Sequence, residues 1–537
     1  MRKLRVGIID IVQRGPTRAW FPRIMNANMA SIMPQCVAVW CRAEGHDVAF
    51  SCYTGFEDIL HVLPADVDLV FISAFTEAAQ TAYAISNLCR SRGAVTALGG
   101  PHARCYPQDA CRFFDYVFGF TDKQTVRDVL AECEPHRPMG AQVAAPAQPR
   151  ELPSVRERWP FLEQVMAKAP VLKIVPMIGS LGCPYTCSFC IDAEIPYQPL
   201  DFQTLKDDLL FVQKKYRRPG VVWHDPNFGV RFDDYMEAIA EADPQGRIRH
   251  IAESSLSLLS EEHLKRLKKN GFQAILPGIE SWFDLGNKSK TGGRQGMEKV
   301  RQVSEHINMI LRYIPYVQTN FVLGIDADEG PEPFECTKRF IDLAPGAFPG
   351  YSLLSAFGQA APLNLGYQRA NRVLPFPFFF LNNNQAMNVK PKNYTWQKFY
   401  DHIIDVVGYS FSYRAIWNRM KGTAGVIPKW MNVLRAVSTE GWGRLKYYKE
   451  IRRRLDADPE FLPYFEQETT KLPQFYIDMM KKELGPLWNW LPDGALYHDT
   501  NAYLKAEQRR TGASEAARAF ITLGKKGARR TPVAAGT

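Results

Sequence analysis

Gly182-Cys183-Pro184-Tyr185-Thr186-Cys187-Ser188-Phe189-Cys190 places three cysteines within eight residues, directly after the apolar run from Leu172 to Ile178. An apolar run of this kind reads as a buried strand, so the cysteines sit on the loop at its carboxyl end. One loop this short can wrap one metal centre. A structural zinc site wants four closed protein ligands, and the next cysteine downstream is Cys336. Three thiolates on a 4Fe–4S cluster leave one iron open to bind something else. The alternatives are three buried apolar cysteines, or zinc with a distant fourth ligand. Cys183, Cys187 and Cys190 are the expected metal ligands.

Working outward, further strands are expected at Gly220 to Trp223, Ile248 to Glu253, Ala274 to Ile279, Val317 to Leu323 and Tyr351 to Ala356, with helices between them. The clearest helix runs from Ser260 to Asn270. Ser260 can cap it, Glu261 and Glu262 suit its first turn, four basic residues suit its last, and Gly271 ends it. Six such units predict a partial (β/α)6 barrel with its active site at the strand carboxyl ends.

Upstream, short apolar runs alternate with helical patterns: Leu4 to Ile9, Asp47 to Cys52, Asp68 to Ser73, Ala94 to Leu98 and Asp115 to Phe118. This alternation predicts an α/β domain with a doubly wound parallel sheet, whose ligands bind at the loops after Ile9, Ser73 and Leu98. Glu134 to Pro153 is rich in proline and alanine and reads as a linker. Beyond residue 357 the pattern turns aromatic and then mostly helical. The expected organisation is residues 1–133, a linker at 134–153, a barrel at 154–356, a helical aromatic-rich region at 357–504 and a basic flexible tail at 505–537. Most of Trp396, Trp417, Trp430, Trp442 and the segment Phe376 to Phe380 read as helical core, with a role in capping the site as the alternative.

Composition limits the function. The 537 residues are 46% hydrophobic and 23% charged, as in an ordinary globular enzyme of about three domains. No apolar leader follows Met1-Arg2-Lys3, and no charge-free run is long enough to span a bilayer. Eleven cysteines, an odd number in so long a chain, read as reduced thiols of a cytoplasmic protein. The net charge of +10 owes much to the tail, where eight Lys or Arg from Lys505 onward face only Glu507 and Glu515, so a nucleic-acid partner is not indicated.

The cysteine loop and its six units resemble the radical S-adenosylmethionine (SAM) superfamily. That resemblance implies that Cys183, Cys187 and Cys190 hold a 4Fe–4S cluster. SAM then chelates the open iron and is cleaved to a 5′-deoxyadenosyl radical, with a flavodoxin or ferredoxin as electron donor. By position, Phe189 matches the family's aromatic near the adenine. Asp225 follows the second strand, where polar contacts to SAM often lie. Glu253 ends the third strand, and Glu280 belongs to a Gly-x-Glu-Ser segment ending the fourth. Asn320 lies on the fifth-strand segment that packs on adenine. For the acidic residues among these, a rim salt bridge is the competing reading.

The N-terminal domain resembles the cobalamin-binding domain fused ahead of many such enzymes. Its supporting residues are Asp10, Ser73, Thr76, Gly99 and Gly100. Val12 stands where a cobalt-ligating histidine would be, so cobalamin here would lack a lower histidine ligand. His102, after Gly-Gly-Pro, is weighed as a corrin contact against a turn residue bonded to backbone. Together the resemblances imply a cobalamin-dependent radical SAM enzyme, foremost a methyltransferase acting on an unactivated carbon of a small-molecule, lipid or peptide substrate. The competing readings are a radical cyclase or oxidoreductase, an RNA-modifying radical SAM enzyme, and a non-catalytic Fe–S or zinc module.

Overall fold

β-Branched and aliphatic runs buried on both faces pair in parallel, because crossover helices cover each side of the sheet. In the computed structural model, which describes residues 2–133, 140–284, 293–382 and 384–505, the first sheet contains β1 (Arg5–Ile11), β2 (Asp47–Tyr53), β3 (Leu69–Ala74), β4 (Val95–Gly99), β5 (Tyr116–Phe118) and β6 (Ala141–Val143). All pair in parallel in the order β2-β1-β3-β4-β5-β6. The order reverses at β1, which creates a crevice beyond the carboxyl ends of β1 and β3. Register aligns Asp10 with Ser73, and Ser73 with Gly99, across three adjacent strands.

The expected linker needs correction. Residues 134–139 lie outside the described residues, but Ala141–Val143 forms the sixth strand against Tyr116–Phe118. Three residues carry too little apolar pattern to reveal a strand; the waiting edge of β5 supplies the pairing. The helix Val155–Lys168 then opens with a Ser154–Glu157 capping box and packs back on the first domain. Phe161 lies 5.4 Å from Phe50, and Arg158 donates to Gln35 at 2.9 Å. It therefore bridges the two domains.

The second sheet begins with β7 (Ile174–Met177). A two-residue ribbon, β8 (Ser180–Leu181) against β9 (Gln198–Pro199), brackets the cysteine loop. The sheet continues with β10 (Gly220–Trp223), β11 (Arg249–Ser255), β12 (Phe272–Glu280), β13 (Tyr316–Leu323) and β14 (Phe348–Leu353), all parallel, in the order β14-β13-β12-β11-β10-β7. This is the expected six-unit sheet. β14 starts and ends three residues early, because Asn388 bonds both backbone groups of Ala356 and draws Leu354–Ala356 out of the sheet.

The C-terminal region is helical as expected and grips the first domain. Arg14, after β1, donates to the Phe379 carbonyl and to Glu483, and Gln80 and Arg112 bond the backbone at Ala495, Gly494 and Tyr497. Phe376 is fully buried with its ring set edge-on to Tyr464, Phe465 and Tyr476 at 5.2–5.5 Å. Trp396 is core too. Trp417, Trp430 and Trp442 are not: they are 56%, 57% and 37% exposed, so the expected core holds for Trp396 and for the rings of Phe376, Phe378, Phe379 and Phe380 but not for these three. The tail beyond residue 505 lies outside the described residues.

Phe376→Ala removes a fully enclosed ring and should destabilise the C-terminal region by about 3–5 kcal/mol. Trp430→Ala, at the surface, should change stability by no more than about 0.5 kcal/mol. Denaturant unfolding of both variants checks the contrast.

Candidate active site

The cysteine loop is set by contacts behind it. Gly182 has φ +68°, and a Cβ there would strike the carbonyls of Ile195 and Pro196, so this turn requires glycine. Cys183 N–H bonds Ile195 O at 3.3 Å, and Cys190 N–H bonds Cys187 O at 2.9 Å. Asp192 N–H donates to the Cys190 sulfur at 3.4 Å, a contact that favours thiolate. Cys183 is buried, whereas Cys187 and Cys190 are half-buried. Among the described residues no group of three or more His, Cys, Asp or Glu is placed to hold a metal ion. As a donor set, three soft thiols on a partly open loop fit an iron–sulfur centre with one iron left for another ligand.

Asp225 anchors the start of this loop. Its carboxylate is buried and accepts from the Gly179 N–H, from the Ser180 hydroxyl at 2.7 Å and from the Tyr235 phenol. Burial raises its pKa, and the donors counter part of that rise. The structure thus places Asp225 behind the loop, with its oxygens engaged by the protein.

The other barrel residues come together. Trp223 packs on Tyr235 and Phe321 on Phe340, both on helices that cover the sheet, so alternate positions point into the barrel. The strand register carries this inward face from Glu253 through Leu276 and Gly278 to Asn320 and Gly350. Glu280 has φ +64°, which is strained for a residue with a side chain. It folds its carboxylate over Gly278, where a Cβ would collide with it. Asn320 lies in the same way over Gly350, whose missing Cβ leaves room for the amide. Glu253 and Glu280 therefore lie near the carboxyl ends of the adjacent strands β11 and β12. Phe189 is half-buried in the cysteine loop. His224, next to Asp225 in the chain, is held neutral by burial, its pKa lowered to about 4.

In the first domain, Gly99 faces open space, with no atom within 4 Å of the position its Cβ would take. Gly100 has φ +90°, and a Cβ there would crowd Ser73 Oγ and the Ala74 backbone. Ser73, Gly99 and Gly100 therefore border one crevice, and half-exposed Phe75 stands beside it. This smooth, open edge fits a broad flat ligand. Thr76 and Asp10 lie deeper. Asp10 accepts from Ser31 N–H at 2.6 Å and so holds the start of helix Ile32–Ala43; burial raises its pKa to about 6. His102 is fully buried, with Nε2 2.6 Å from the Tyr83 hydroxyl. It does not reach the crevice.

The two half-sites are joined. Arg104, at the end of the short helix after Gly100, pairs at 2.9 Å with Asp192, two residues beyond Cys190. Gln359 N–H bonds Cys105 O, and Leu363 N–H bonds Ser188 O, so segment 357–364 ties the same two loops. The missed signals are thus Arg104, Asp192 and Gly350: a charge pair and a glycine whose partners lie far away in sequence.

Residues 177–329 match the model of the Radical SAM superfamily. The chain is 21% identical over 361 residues to bacteriochlorophyllide d C-12(1)-methyltransferase of Chlorobaculum tepidum, covering 66% of this chain and 77% of that protein. To the C-8(2)-methyltransferase of the same organism it is 26% identical over 239 residues, 40% of this chain and 50% of the relative. Its fold resembles the radical SAM methyltransferase TsrM from Kitasatospora setae, solved with cobalamin and a [4Fe-4S] cluster bound: TM-score 0.52, 15% identity, 69% of this chain and 75% of that one. It also resembles the cobalamin-dependent SAM radical enzyme OxsB with aqua-cobalamin bound: TM-score 0.54, 13% identity, 93% of this chain and 82% of that one. The chain therefore carries a radical SAM domain. Its two-sheet architecture is like that of the TsrM and OxsB structures.

Asp225→Ala would leave three buried donors without an acceptor. Hydrogen exchange should then accelerate across residues 179–195 by tenfold or more, while the first sheet keeps its protection.

Proposed function

We propose that this chain is a cobalamin-dependent radical SAM methyltransferase that adds a methyl group to an unactivated carbon of a small-molecule substrate. One observation carries the reading. The three-cysteine loop is tied, through Arg104–Asp192 and segment 357–364, to the open glycine edge of the N-terminal sheet. Two candidate cofactor-binding edges are thereby held close to each other. The relatives in Chlorobaculum tepidum are methyltransferases by name, and TsrM and OxsB have this architecture.

Cys183, Cys187 and Cys190 would hold the cluster, and the Ser73–Gly99–Gly100 edge would hold the corrin. Loaded with SAM, these groups would supply hydrogen-abstracting radical chemistry and the methyl group. The protein's own part is positional and electrostatic. Glu253 and Glu280 would set negative charge at the mouth where a sulfonium would lie, with the Lys299 ammonium behind Glu280 offsetting part of it. Asn320 offers an amide to a purine edge, and Phe189 a ring to its face. Asp225 keeps the cysteine loop in register, and Asp10 holds the helix start behind the crevice. A small electron-transfer protein would deliver the electron. No helix among the described residues is long and apolar enough to cross a membrane.

Anaerobic purification with added cobalamin should give about four irons and one corrin per chain, and methyl-labelled SAM should transfer label to product. Cys187→Ala should lose the iron and keep the corrin. Zinc in place of iron after anaerobic reconstitution would overturn the reading. Separately, Gly278→Ala pushes the Glu280 carboxylate aside and should weaken SAM binding about tenfold or more, roughly 1.4 kcal/mol, with iron content unchanged in equilibrium dialysis.

A further inference from the structure

The helix Val426–Val437 is packed inside out. Its only buried residues are Asn432 and Ala436, while Val426, Ile427, Trp430 and Val437 stand 72%, 58%, 57% and 39% exposed. At 100° per residue these four, with half-exposed Met431 and Leu434, form one continuous apolar stripe. The preceding helix, Tyr413–Gly422, adds Tyr413 at 80% and Trp417 at 56% exposure, and Trp442 stacks edge-on to Tyr413 at 5.5 Å. A folded chain does not leave three tryptophans and a helix face uncovered in water without an occupant.

The charges around the stripe say what kind of occupant. From Val406 to Lys449 the sequence has eight Lys or Arg and a single acid, Glu440. That acid is taken by Arg435 at 2.8 Å, and Arg419 is buried within the protein. Arg414, Lys421, Lys446 and Lys449 are exposed, and Lys421 lies over the Trp417 ring at 5.1 Å. Protein interfaces deplete lysine around their apolar centre. A stripe of aliphatic side chains with tryptophan and tyrosine at its margin and an unopposed basic rim matches the boundary of an anionic bilayer.

The surface is also well placed to act without disturbing the reaction. Arg435 reaches the Tyr316 hydroxyl and Gln318, Arg419 bonds the Ala347 carbonyl, and Thr423 bonds the Gly346 carbonyl. These groups lie at the amino ends of β13 and β14, opposite the carboxyl ends that carry the cysteine loop. We infer that helices Tyr413–Gly422 and Val426–Val437 form an interfacial membrane anchor, which seats the enzyme on anionic lipid through Trp417, Ile427 and Trp430 while its active-site mouth stays at the far end of the barrel.

The test is vesicle flotation of the full-length, cluster-loaded protein at 0.15 M salt, using phosphatidylcholine alone and phosphatidylcholine with about 30% phosphatidylglycerol. The protein should float with the anionic vesicles, and its tryptophan emission should shift to the blue. The triple variant Trp417→Ser, Ile427→Ser, Trp430→Ser should lower partitioning about tenfold or more with far-UV circular dichroism and iron content unchanged. Lys421→Glu with Lys446→Glu should reduce binding to anionic vesicles by a similar factor. The inference fails if the protein partitions into neither vesicle, or if the triple variant binds as well as the parent. It fails equally if light scattering shows a dimer that the triple variant dissociates while vesicles are ignored, because the stripe is then a contact between copies.

Discussion

A buried carboxylate organises the rest. Asp225 sits at 2% exposure, where an ionised group without partners would cost several kcal/mol. The Gly179 N–H, the Ser180 hydroxyl and the Tyr235 phenol converge on it from three directions. That satisfaction ties the exit of β7 to the exit of β10 and to the helix behind them. It fixes where the chain must begin its turn into the cysteine loop, before any metal is considered. The alternating pattern of the sheet then does the remaining positioning, because every parallel strand ends on the same side and every second side chain faces inward.

The second constraint is how two such sheets meet. Each carries its candidate site at its strand carboxyl ends, and the proposed chemistry needs those edges to oppose one another. The bridging helix Val155–Lys168 sets the domains side by side through Phe161 and Arg158. Arg104–Asp192 and the backbone bonds of segment 357–364 then fix the edges directly across the gap. The ion pair alone is about a quarter exposed to solvent and contributes modestly. Its importance lies in geometry: it joins residues adjacent to Gly100 and to Cys190, so each loop limits the movement of the other.

Much of this was legible in the sequence, and what escaped has a common cause. The strands announced themselves because both faces of a parallel sheet are apolar, and the cysteine loop because its spacing is local. The Gly278–Glu280 pair was visible as a motif, but its reason was not: a carboxylate folded back over a residue with no side chain, at a positive φ. Gly350 under Asn320 carries no local signal at all. Asp225 was read as a ligand contact from its position after a strand, and only the fold shows three protein donors around it. Ala141–Val143 became a strand because an edge was available, not because of anything in those three residues.

The C-terminal region shows the same division between local pattern and tertiary outcome. Tryptophan-rich helices read as core, since aromatic rings at helical spacing usually are, and Trp396 behaves so. Its neighbours do not, because the helices that follow spend their buried face on polar anchors: Arg419 and Arg435 reach inward to carbonyls and to Gln318, and Asn432 to Thr423. A helix that turns its arginines and asparagine toward the protein must turn its aliphatic residues away from it. The exposed stripe is therefore a consequence of how the barrel's lower rim is closed. The same side chains that seal the amino ends of β13 and β14 leave an apolar face on the outside, and the burial of polar groups at one surface dictates the chemistry presented at the other.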